Sequence, residues 1–409
     1  MLILHYLEDL LLSGPHRGTA EVCARLKERG FPCAAASLTG DGPGRVFFDE
    51  RGVELHLVGG PGDSALALGL ELARLAKRIG ASALHGHPNR LPTWIAGLVS
   101  GRPAFVTFHR YGFDSPLERR LTKLSSPFMG GYACVSRRVR DYVLDVDRVH
   151  PSRVALVPNG LDTERLRPGL FEKEDARRAL GLGPGGPVLG YVGRLGHRKG
   201  LDHLLRAAAR IPEAIVLLAG AGYHEEHLRD LARELGTGDR VRFLGKIADP
   251  RPVYAACDLA VAVGRGESFN RGMAEPLALG VPAVGLAQGG CVEILPPEAR
   301  GLLIFEYSDR ALERKIGKLL DDPERTRAMT DAASRHIRQN HSLEAMTEGY
   351  VELYTRVLLE GKRPSDSGRP PRAPRLPGVE DPDRTPPAVD GEGYAGPHLD
   401  PGLGGKRLL

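Results

Sequence analysis

Short apolar runs alternating with amphipathic stretches are the feature that most limits how this 409-residue chain folds. Runs rich in Val, Leu and Ala recur roughly every 20 to 30 residues, and apolar positions three or four apart fill the stretches between them. Such alternation is typical of βα units stacked on a parallel sheet with helices on both faces. The sequence therefore predicts an α/β, doubly wound fold.

The pattern runs through the chain twice, which predicts two Rossmann-like domains facing a cleft. The predicted strands of the first half are Leu2–Tyr6, Cys33–Ser37, Glu54–Val58, Ala83–His87, Ala104–His109 and Tyr132–Ser136. Those of the second half are Val188–Val192, Ile215–Ala219, Val241–Leu244, Leu259–Val263, Ala283–Leu286 and Gly301–Phe305. Glycines and prolines between 171 and 187 break the pattern, so we expect the linker there.

The predicted domain bounds are 1–170, 171–342, a final helix over 343–361 and a tail over 362–409. The helix carries apolar residues three and four apart and must therefore pack against something. Residues 363–409 hold ten prolines and eight glycines. Such a segment buries too little apolar surface to offset its chain entropy, so we expect a disordered tail, either inert or recruiting a partner.

Composition, at 42% apolar and 26% charged, is that of a soluble globular chain. The net charge of +5 is too diffuse for a nucleic-acid binder, whereas anionic small molecules remain suitable partners. We expect no signal peptide, because Glu8 and Asp9 interrupt the apolar N-terminal run, and no spanning helix. A cytoplasmic location is expected, with peripheral contact at the inner face of the membrane left open.

The five cysteines are scattered and contain no C-x-x-C pair, so their spacing predicts neither a zinc site nor a redox site. A reducing compartment is the simplest setting for them. They are Cys23, Cys33, Cys134, Cys257 and Cys291.

Two glutamates eight positions apart, Glu267 and Glu275, are the strongest candidates for a ligand site. They flank a loop-to-helix junction after a strand, which is where doubly wound domains bind ligands. The first turn of that helix suits a diphosphate, and carboxylates on either side would accept hydrogen bonds from hydroxyls. The alternative is that Glu267 merely favours the helix dipole and Glu275 is a surface residue.

A second candidate is the loop GRLGHRKG at 193–200, which follows a predicted strand and opens a helix. Its glycines allow close approach to an anion, and Arg194 and Lys199 supply positive charge. It is not a P-loop, because Gly200 follows the lysine where Ser or Thr is required. A solvated basic turn is the alternative. The GAG sequence at 220–222 predicts a tight turn beside a nucleotide rather than an NAD site.

His109 ends a predicted strand of the first half, so its ring is expected at the cleft, where it could donate a hydrogen bond or a proton. His85 and His87 are runners-up. Their alternate spacing places both rings on one face of a strand, yet no third ligand is evident in the sequence. We therefore expect them to line the cleft rather than bind a metal.

The chain resembles the retaining, metal-independent glycosyltransferases of family 4, which have the GT-B fold, over residues 1 to about 360. The resemblance rests on Glu267 and Glu275, which match the family's E-x7-E motif, and on further sequence elements. These are VGRL at 192–195 with Lys199–Gly200, VPNGLD at 157–162, Val135–Ser136, GVP at 280–282, Gly289–Gly290 and Thr107–His109. Asn270 and Arg271 stand where the family often has Gly-Leu.

The resemblance implies that Arg194 and Lys199 hold a donor diphosphate and that Glu275 binds the ribose. It also implies that Glu267 contacts the transferred sugar, that His109 lies near the reacting carbon, and that the final helix returns to the first domain. The implied donor-binding residues are Arg194, Lys199, Glu267, Phe269, Asn270, Arg271, Gly272 and Glu275; His109, Glu267, Arg194 and Lys199 are the implied catalytic residues.

The function expected from these residues is transfer of a hexose-type sugar from a nucleoside-diphosphate sugar to a hydroxyl acceptor, with no cofactor, metal or nucleic acid. The acceptor would bind on the side of domain 1–170 and the donor on the side of domain 171–342. The acceptor could be a glycan, a glycolipid or a small metabolite. A sugar-nucleotide epimerase of the same fold and a non-catalytic sugar-nucleotide-binding subunit remain alternatives. The sequence does not identify the base, the sugar, the acceptor or the oligomeric state.

Overall fold

A computed structural model describes residues 1–10, 14–38, 42–60, 62–87, 90–110, 116–183 and 185–361. Within these residues the chain forms two parallel sheets with helices on both faces, as the sequence predicts. The predicted tail over 362–409 lies outside the described residues.

The first sheet has, among the described residues, seven strands in the order β3-β2-β1-β4-β5-β6-β7. The strands are β1 Ile3–Leu7, β2 Cys33–Ser37, β3 Glu54–Leu57, β4 Ala83–His87, β5 Ala104–Phe108, β6 Gly131–Cys134 and β7 Val154–Leu156. The helices of this part are α1 Gly14–Glu28, α2 Val46–Asp49, α3 Ala65–Arg78, α4 Arg90–Ser100, α5 Pro116–Ser125 and α6 Arg137–Asp145. The order reverses between β1 and β4, so a crevice opens at their carboxyl ends.

The second sheet has six strands in the order β10-β9-β8-β11-β12-β13 within the described ranges. They are β8 Val188–Val192, β9 Ile215–Ala219, β10 Val241–Gly245, β11 Leu259–Ala262, β12 Ala283–Leu286 and β13 Leu303–Ile304. The helices are α7 Lys173–Ala179, α8 Leu201–Ala209, α9 Glu225–Glu234, α10 Arg251–Ala256, α11 Arg271–Ala278, α12 Gly289–Glu293, α13 Asp309–Asp321, α14 Pro323–Asn340 and α15 Leu343–Tyr354. Here the order reverses between β8 and β11.

The predicted strands are confirmed, with bounds that differ by no more than two residues. Most are buried on both faces, which is why they consist of apolar runs and do not alternate. Serine side chains begin several helices: the hydroxyls of Ser64, Ser136, Ser308 and Ser342 each accept a hydrogen bond from a backbone N–H three residues on. The sequence analysis missed β7, because three residues carry too little periodicity to be recognised.

The linker predicted at 171–187 is misplaced. That segment contains α7, which packs on the second sheet: Ala176 and Leu182 join the core around Val188, and Lys173 pairs with Asp258 at 2.5 Å. The breakers there shape turns within the second half.

The chain actually passes between the sheets at two adjacent places. Val157 lies in the core of the first half and Leu161 in the core of the second, so the first crossing consists of the three residues between them. The second crossing lies between α14 and α15, where Leu161 N–H donates to the His341 carbonyl oxygen at 2.9 Å and Leu343 N–H donates to the Leu161 carbonyl oxygen at 2.8 Å. The two crossings thus form one short parallel pair.

The final helix returns to the first domain, as the resemblance implies. On α15, Leu343, Met346, Tyr350 and Tyr354 are buried against the first sheet, in one core with Ile3, Ala83 and Phe105, and Val357 packs at its edge. The apolar face that the spacing predicts for this helix therefore packs against the first domain.

Candidate active site

Lys199 and Glu267 meet at the carboxyl edge of the second sheet, where Nζ of Lys199 lies 2.5 Å from Oε1 of Glu267. Lys199 closes the 3-10 turn His197–Lys199 after β8, and Glu267 lies in the loop between β11 and α11. Both side chains are partly exposed. This is the switch point of the sheet, so the pair stands at the mouth of a crevice. Arg194, in the same loop as Lys199, is exposed.

Glycines bring the loops that follow β8 and β9 together near this pair. A Cβ on Gly220 would collide with the carbonyl oxygen of Gly193, and one on Gly222 would collide with that of Leu195. Gly200 begins α8 with φ of 73°, a conformation that is unfavourable for residues with a side chain. Where the sequence predicted a tight turn at 220–222, the structure has a bend at Gly220 and a turn that follows at 223–224. The glycines let the β8 and β9 loops pack against each other.

The first turn of α11 is fixed by Asn270. Its side-chain amide donates to the carbonyl oxygen of Ala262 at 2.7 Å and to Sγ of Cys291 at 3.1 Å, so both amide protons are used inside the protein. Phe269 packs on the ring of His341. Asn270 and Phe269 therefore shape the loop, and Gly272 leaves the start of α11 without a side chain, with only ordinary contacts for a Cβ there.

Arg271 and Glu275 form an ion pair one helical turn apart, with Nε and Oε1 separated by 2.9 Å. The Arg271 side chain lies against Gly14 in the first turn of α1, where a Cβ would come within 2.8 Å of its Cδ. Burial by itself would lower the pKa of Arg271, but the negative charges of Glu275 and of Glu21 on α1 attract the guanidinium and raise that pKa. Arg271 thus spans the boundary between the two domains, and Glu275 is buried beside it.

His109 follows β5 and is tied to a row of histidines. Its Nε2 lies 3.0 Å from Nδ1 of His87, whose Nε2 lies 2.9 Å from Nδ1 of His5. Burial lowers the pKa of His109 to about 3, with smaller effects from His16 and Arg110. The ring is therefore neutral at physiological pH: it can donate or accept a hydrogen bond but carries no positive charge.

His85 does not line the cleft as predicted, whereas His87 lies buried between His5 and His109. Both rings face one side of β4, stacked at 4.7 Å, and Tyr350 and Tyr354 of α15 cover the ring of His85. Nδ1 of His85 lies 2.5 Å from the Tyr354 hydroxyl and Nε2 lies 2.7 Å from the Thr107 hydroxyl. The error arose because the sequence places a residue on a strand face and does not say which helix covers that face.

Two contributors were missed altogether. His5 extends the histidine row, and its signal was available: polar residues at alternate positions of neighbouring strands, all on one face. Glu293, at the end of α12, accepts hydrogen bonds from the N–H groups of Arg137 and Arg138 at 2.8 and 2.9 Å, which joins the domains at the start of α6. Nothing in the sequence singles out Glu293.

The buried histidines predict acid sensitivity. Burial lowers the pKa of His109 to about 3 and that of His341 to about 4. In the unfolded chain both histidines have the ordinary pKa of about 6.5. Below about pH 6.5 the unfolded state therefore binds more protons than the folded state. Together the two rings lower the free energy of unfolding by up to about 3 kcal/mol for each unit by which the pH falls.

We expect the free energy of unfolding, measured by urea titration, to fall steadily between pH 6.5 and 4.5. His341→Gln should flatten that slope, and His150→Gln, at an exposed position, should not. Equal stability of the wild-type protein at pH 6.5 and pH 4.5 would contradict the prediction.

The folds of solved glycosyltransferases match this one closely. A Rickettsia africae glycosyltransferase superposes with a TM-score of 0.78 at 18% identity, over 88% of this chain and 98% of the other. Anabaena HepE in complex with UDP-glucose gives 0.78 at 20% identity, over 87% and 99%. Two facing Rossmann-like domains with a returning C-terminal helix define the protein as one of GT-B fold.

Sequence comparison places the chain more narrowly. The Glycosyltransferase Family 4 model matches residues 12–165, and the Glycosyl transferases group 1 model matches residues 172–336. The chain belongs to this glycosyltransferase family.

Curated relatives match mainly over part of their length. D-inositol 3-phosphate glycosyltransferases of Corynebacterium urealyticum and Nocardia farcinica are 35% and 34% identical over 223 and 225 residues. Those matches cover 50% and 51% of this chain and 51% and 48% of the relatives. The chain thus spans about half the length of the curated relatives it matches.

Proposed function

We propose that the protein is a retaining glycosyltransferase that moves a hexose-type sugar from a nucleoside-diphosphate sugar to a hydroxyl acceptor. The observation that carries the proposal is the Lys199–Glu267 pair, 2.5 Å apart at the switch point of the second sheet. It couples a cation suited to a phosphate with a carboxylate suited to sugar hydroxyls, beside the exposed Arg194.

The transfer breaks the bond between the anomeric carbon and the diphosphate oxygen. Lys199, Arg194 and the positive end of the α11 helix dipole take up the charge that develops on the departing diphosphate. The acceptor oxygen forms the new bond on the same face of the sugar, and its proton passes to the leaving phosphate oxygen. Glu267 would hold the sugar hydroxyls meanwhile.

Glu275 would bind the ribose, and this requires a change at Arg271. In the structure Arg271 occupies Oε1 of Glu275 at 2.9 Å. A ribose hydroxyl that reached this carboxylate would share it with Arg271 or displace it toward α1.

The acceptor is proposed to bind beside His109. Its Nδ1 has no hydrogen-bond partner among the described residues, so it can meet an acceptor hydroxyl or a sugar oxygen. His16 and Arg110 lie close enough to act on the His109 ring, which makes this side of the cleft suitable for an acceptor that bears a phosphate. Because the curated relatives are named for inositol 3-phosphate, that compound is the first acceptor to test.

We propose that no metal or cofactor takes part in the transfer, since Lys199 and Arg194 already supply the positive charge that a metal would bring to a diphosphate. A cytoplasmic setting completes the proposal, and peripheral membrane contact stays open within it. Across the residues that the structure describes, no helix has the length and apolar character that crossing a membrane requires.

Donor binding gives the direct test. We expect one of UDP-, GDP- or ADP-glucose to raise the melting temperature in a saturable manner, because a ligand that binds only the folded state stabilises it by mass action. Glu275→Gln should raise the apparent Kd of the donor, obtained from that shift, at least tenfold, because it removes the charge that accepts hydrogen bonds from the ribose. Glu225→Gln, at the first turn of α9, is the control.

The same donor then separates the alternatives. Release of nucleoside diphosphate that depends on a hydroxyl acceptor, with an α-configured product from an α-configured donor, supports the proposed transferase. Conversion of the donor without an acceptor would indicate an epimerase, and tight binding with no turnover would indicate a binding subunit.

A further inference from the structure

Two cysteines and a histidine converge beneath α1, away from the Lys199–Glu267 pair. One possible ligand atom each from His5, Cys23 and Cys33 lies within 4.8 Å of the other two. Ile3 pairs with Cys33 across β1 and β2, so Cys33 and His5 stand diagonally on one face, which α1 covers with Cys23. Chain spacing hid this cluster, because its members come from three different elements.

His5 is inaccessible to solvent, and its two ring nitrogens have different surroundings. Nδ1 lies 2.9 Å from Nε2 of His87, whereas Nε2 is buried without a hydrogen-bond partner among the described residues. An unpaired buried nitrogen costs free energy, so the cluster is incomplete as it stands. A histidine that ligates a metal commonly donates its other N–H to a neighbour, which is what Nδ1 of His5 can do toward His87.

We propose that His5, Cys23 and Cys33 bind one zinc ion. Two thiolates and a neutral imidazole around Zn²⁺ carry no net charge, which suits a site shielded from water. A monovalent copper ion would leave one uncompensated negative charge in the same place. The ion would be structural and would take no direct part in sugar transfer, for which no metal is proposed.

Only small movements are needed to close the site. Ligand atoms around tetrahedral zinc lie about 3.3 to 3.8 Å apart, so side-chain shifts of about 1 Å are enough. The carbonyl oxygen of Phe31, 3.3 Å from Sγ of Cys33, borders the cluster and is available as a fourth ligand. Cys33 is only partly buried, which gives an ion a way in.

Zinc here would set the proton positions along the histidine row. A metal on Nε2 of His5 leaves its proton on Nδ1, which donates to Nε2 of His87. The proton of His87 then lies on Nδ1 and donates to Nε2 of His109, so the proton of His109 lies on Nδ1, the nitrogen left for a ligand. This last consequence rests on the proposed role of His109; metal binding itself does not.

The test measures metal, not turnover. Reduced full-length protein is stripped with a chelator, supplied with Zn²⁺ and desalted, and its zinc is measured by elemental mass spectrometry. We expect about one equivalent in the wild-type protein and near none in Cys23→Ser, Cys33→Ser or His5→Gln. Cys257→Ser, which alters a buried cysteine of the second domain, should keep the metal.

A second measurement needs no variant. Zinc should protect Cys23 and Cys33 of the wild-type protein from alkylation, as read by peptide mass spectrometry, and should leave the alkylation of Cys134, Cys257 and Cys291 unchanged. Failure of the reduced wild-type protein to retain zinc would overturn the proposal. So would equal protection of all five cysteines, or a disulfide between Cys23 and Cys33 in the protein as isolated.

Discussion

Replacing Lys199 by Ala or Glu267 by Gln is expected to lower kcat by about 100-fold or more. Each change removes one half of the pair that we propose meets the diphosphate and the transferred sugar, and losing one charge-stabilising contact at a reacting centre typically costs this much. Because the pair is partly exposed and lies in loops, the fold should survive. Steady-state release of nucleoside diphosphate measures the effect.

Lys173→Ala provides a matched control. Lys173 makes an ion pair of the same length with Asp258, which also accepts from Arg177 and from the N–H of Val188, at the opposite end of β8. Its loss should leave kcat within about twofold of the wild-type value, as for a surface ion pair. A folded Lys199→Ala protein with wild-type turnover would refute the assignment of the donor site.

Ending the chain after residue 342 is expected to prevent the first domain from folding. The cut removes α15, with Leu343, Met346, Tyr350, Leu353 and Tyr354, all of them buried. Truncating one such side chain typically costs about 2–5 kcal/mol, and an ordinary domain is stable by about 5–15 kcal/mol, so the loss of the whole set equals or exceeds the stability of a typical domain. His85 and Thr107 would also lose their hydroxyl partners on α15.

A cut after residue 361 is the control, and its melting temperature should equal that of the full chain, given the proline- and glycine-rich composition beyond that point. Tyr350→Phe separates packing from hydrogen bonding: it removes only the hydroxyl, and we expect a loss of about 1 kcal/mol. Cooperative melting of the chain cut after 342, at an unchanged temperature, would show that the packing of α15 contributes little.

Sequence reasoning predicted the sheets well because parallel strands buried on both faces leave continuous apolar runs, such as VLGYV at 188–192 and AFVTF at 104–108. The pairing of Lys199 with Glu267 was also within reach, since both follow strands that end at one edge of a sheet. The linker could not be located in the same way. Glycine and proline mark turns inside a domain, as around α7, as readily as turns between domains.

Contacts between distant elements were beyond reach. The spacing of apolar residues on α15 predicts that the helix is covered, and only the resemblance to known proteins indicated which domain covers it. The environment of Arg271 depends on Gly14, which lies more than 250 residues away in sequence and becomes its neighbour only through the packing of the two domains. The cluster of His5, Cys23 and Cys33 could be recognised only once the register of β1 and β2 was known.

The position of α15 also bears on how the protein is made. The second domain is continuous from Leu161 to His341, whereas the first consists of the chain up to Val157 and a helix that is synthesised after the whole second domain. Domains tend to fold in order of synthesis, but here the earlier one lacks part of its core until its final helix emerges. The domain synthesised second is therefore expected to complete its folding first, while the exposed sheet face with His85 and Phe105 waits for α15.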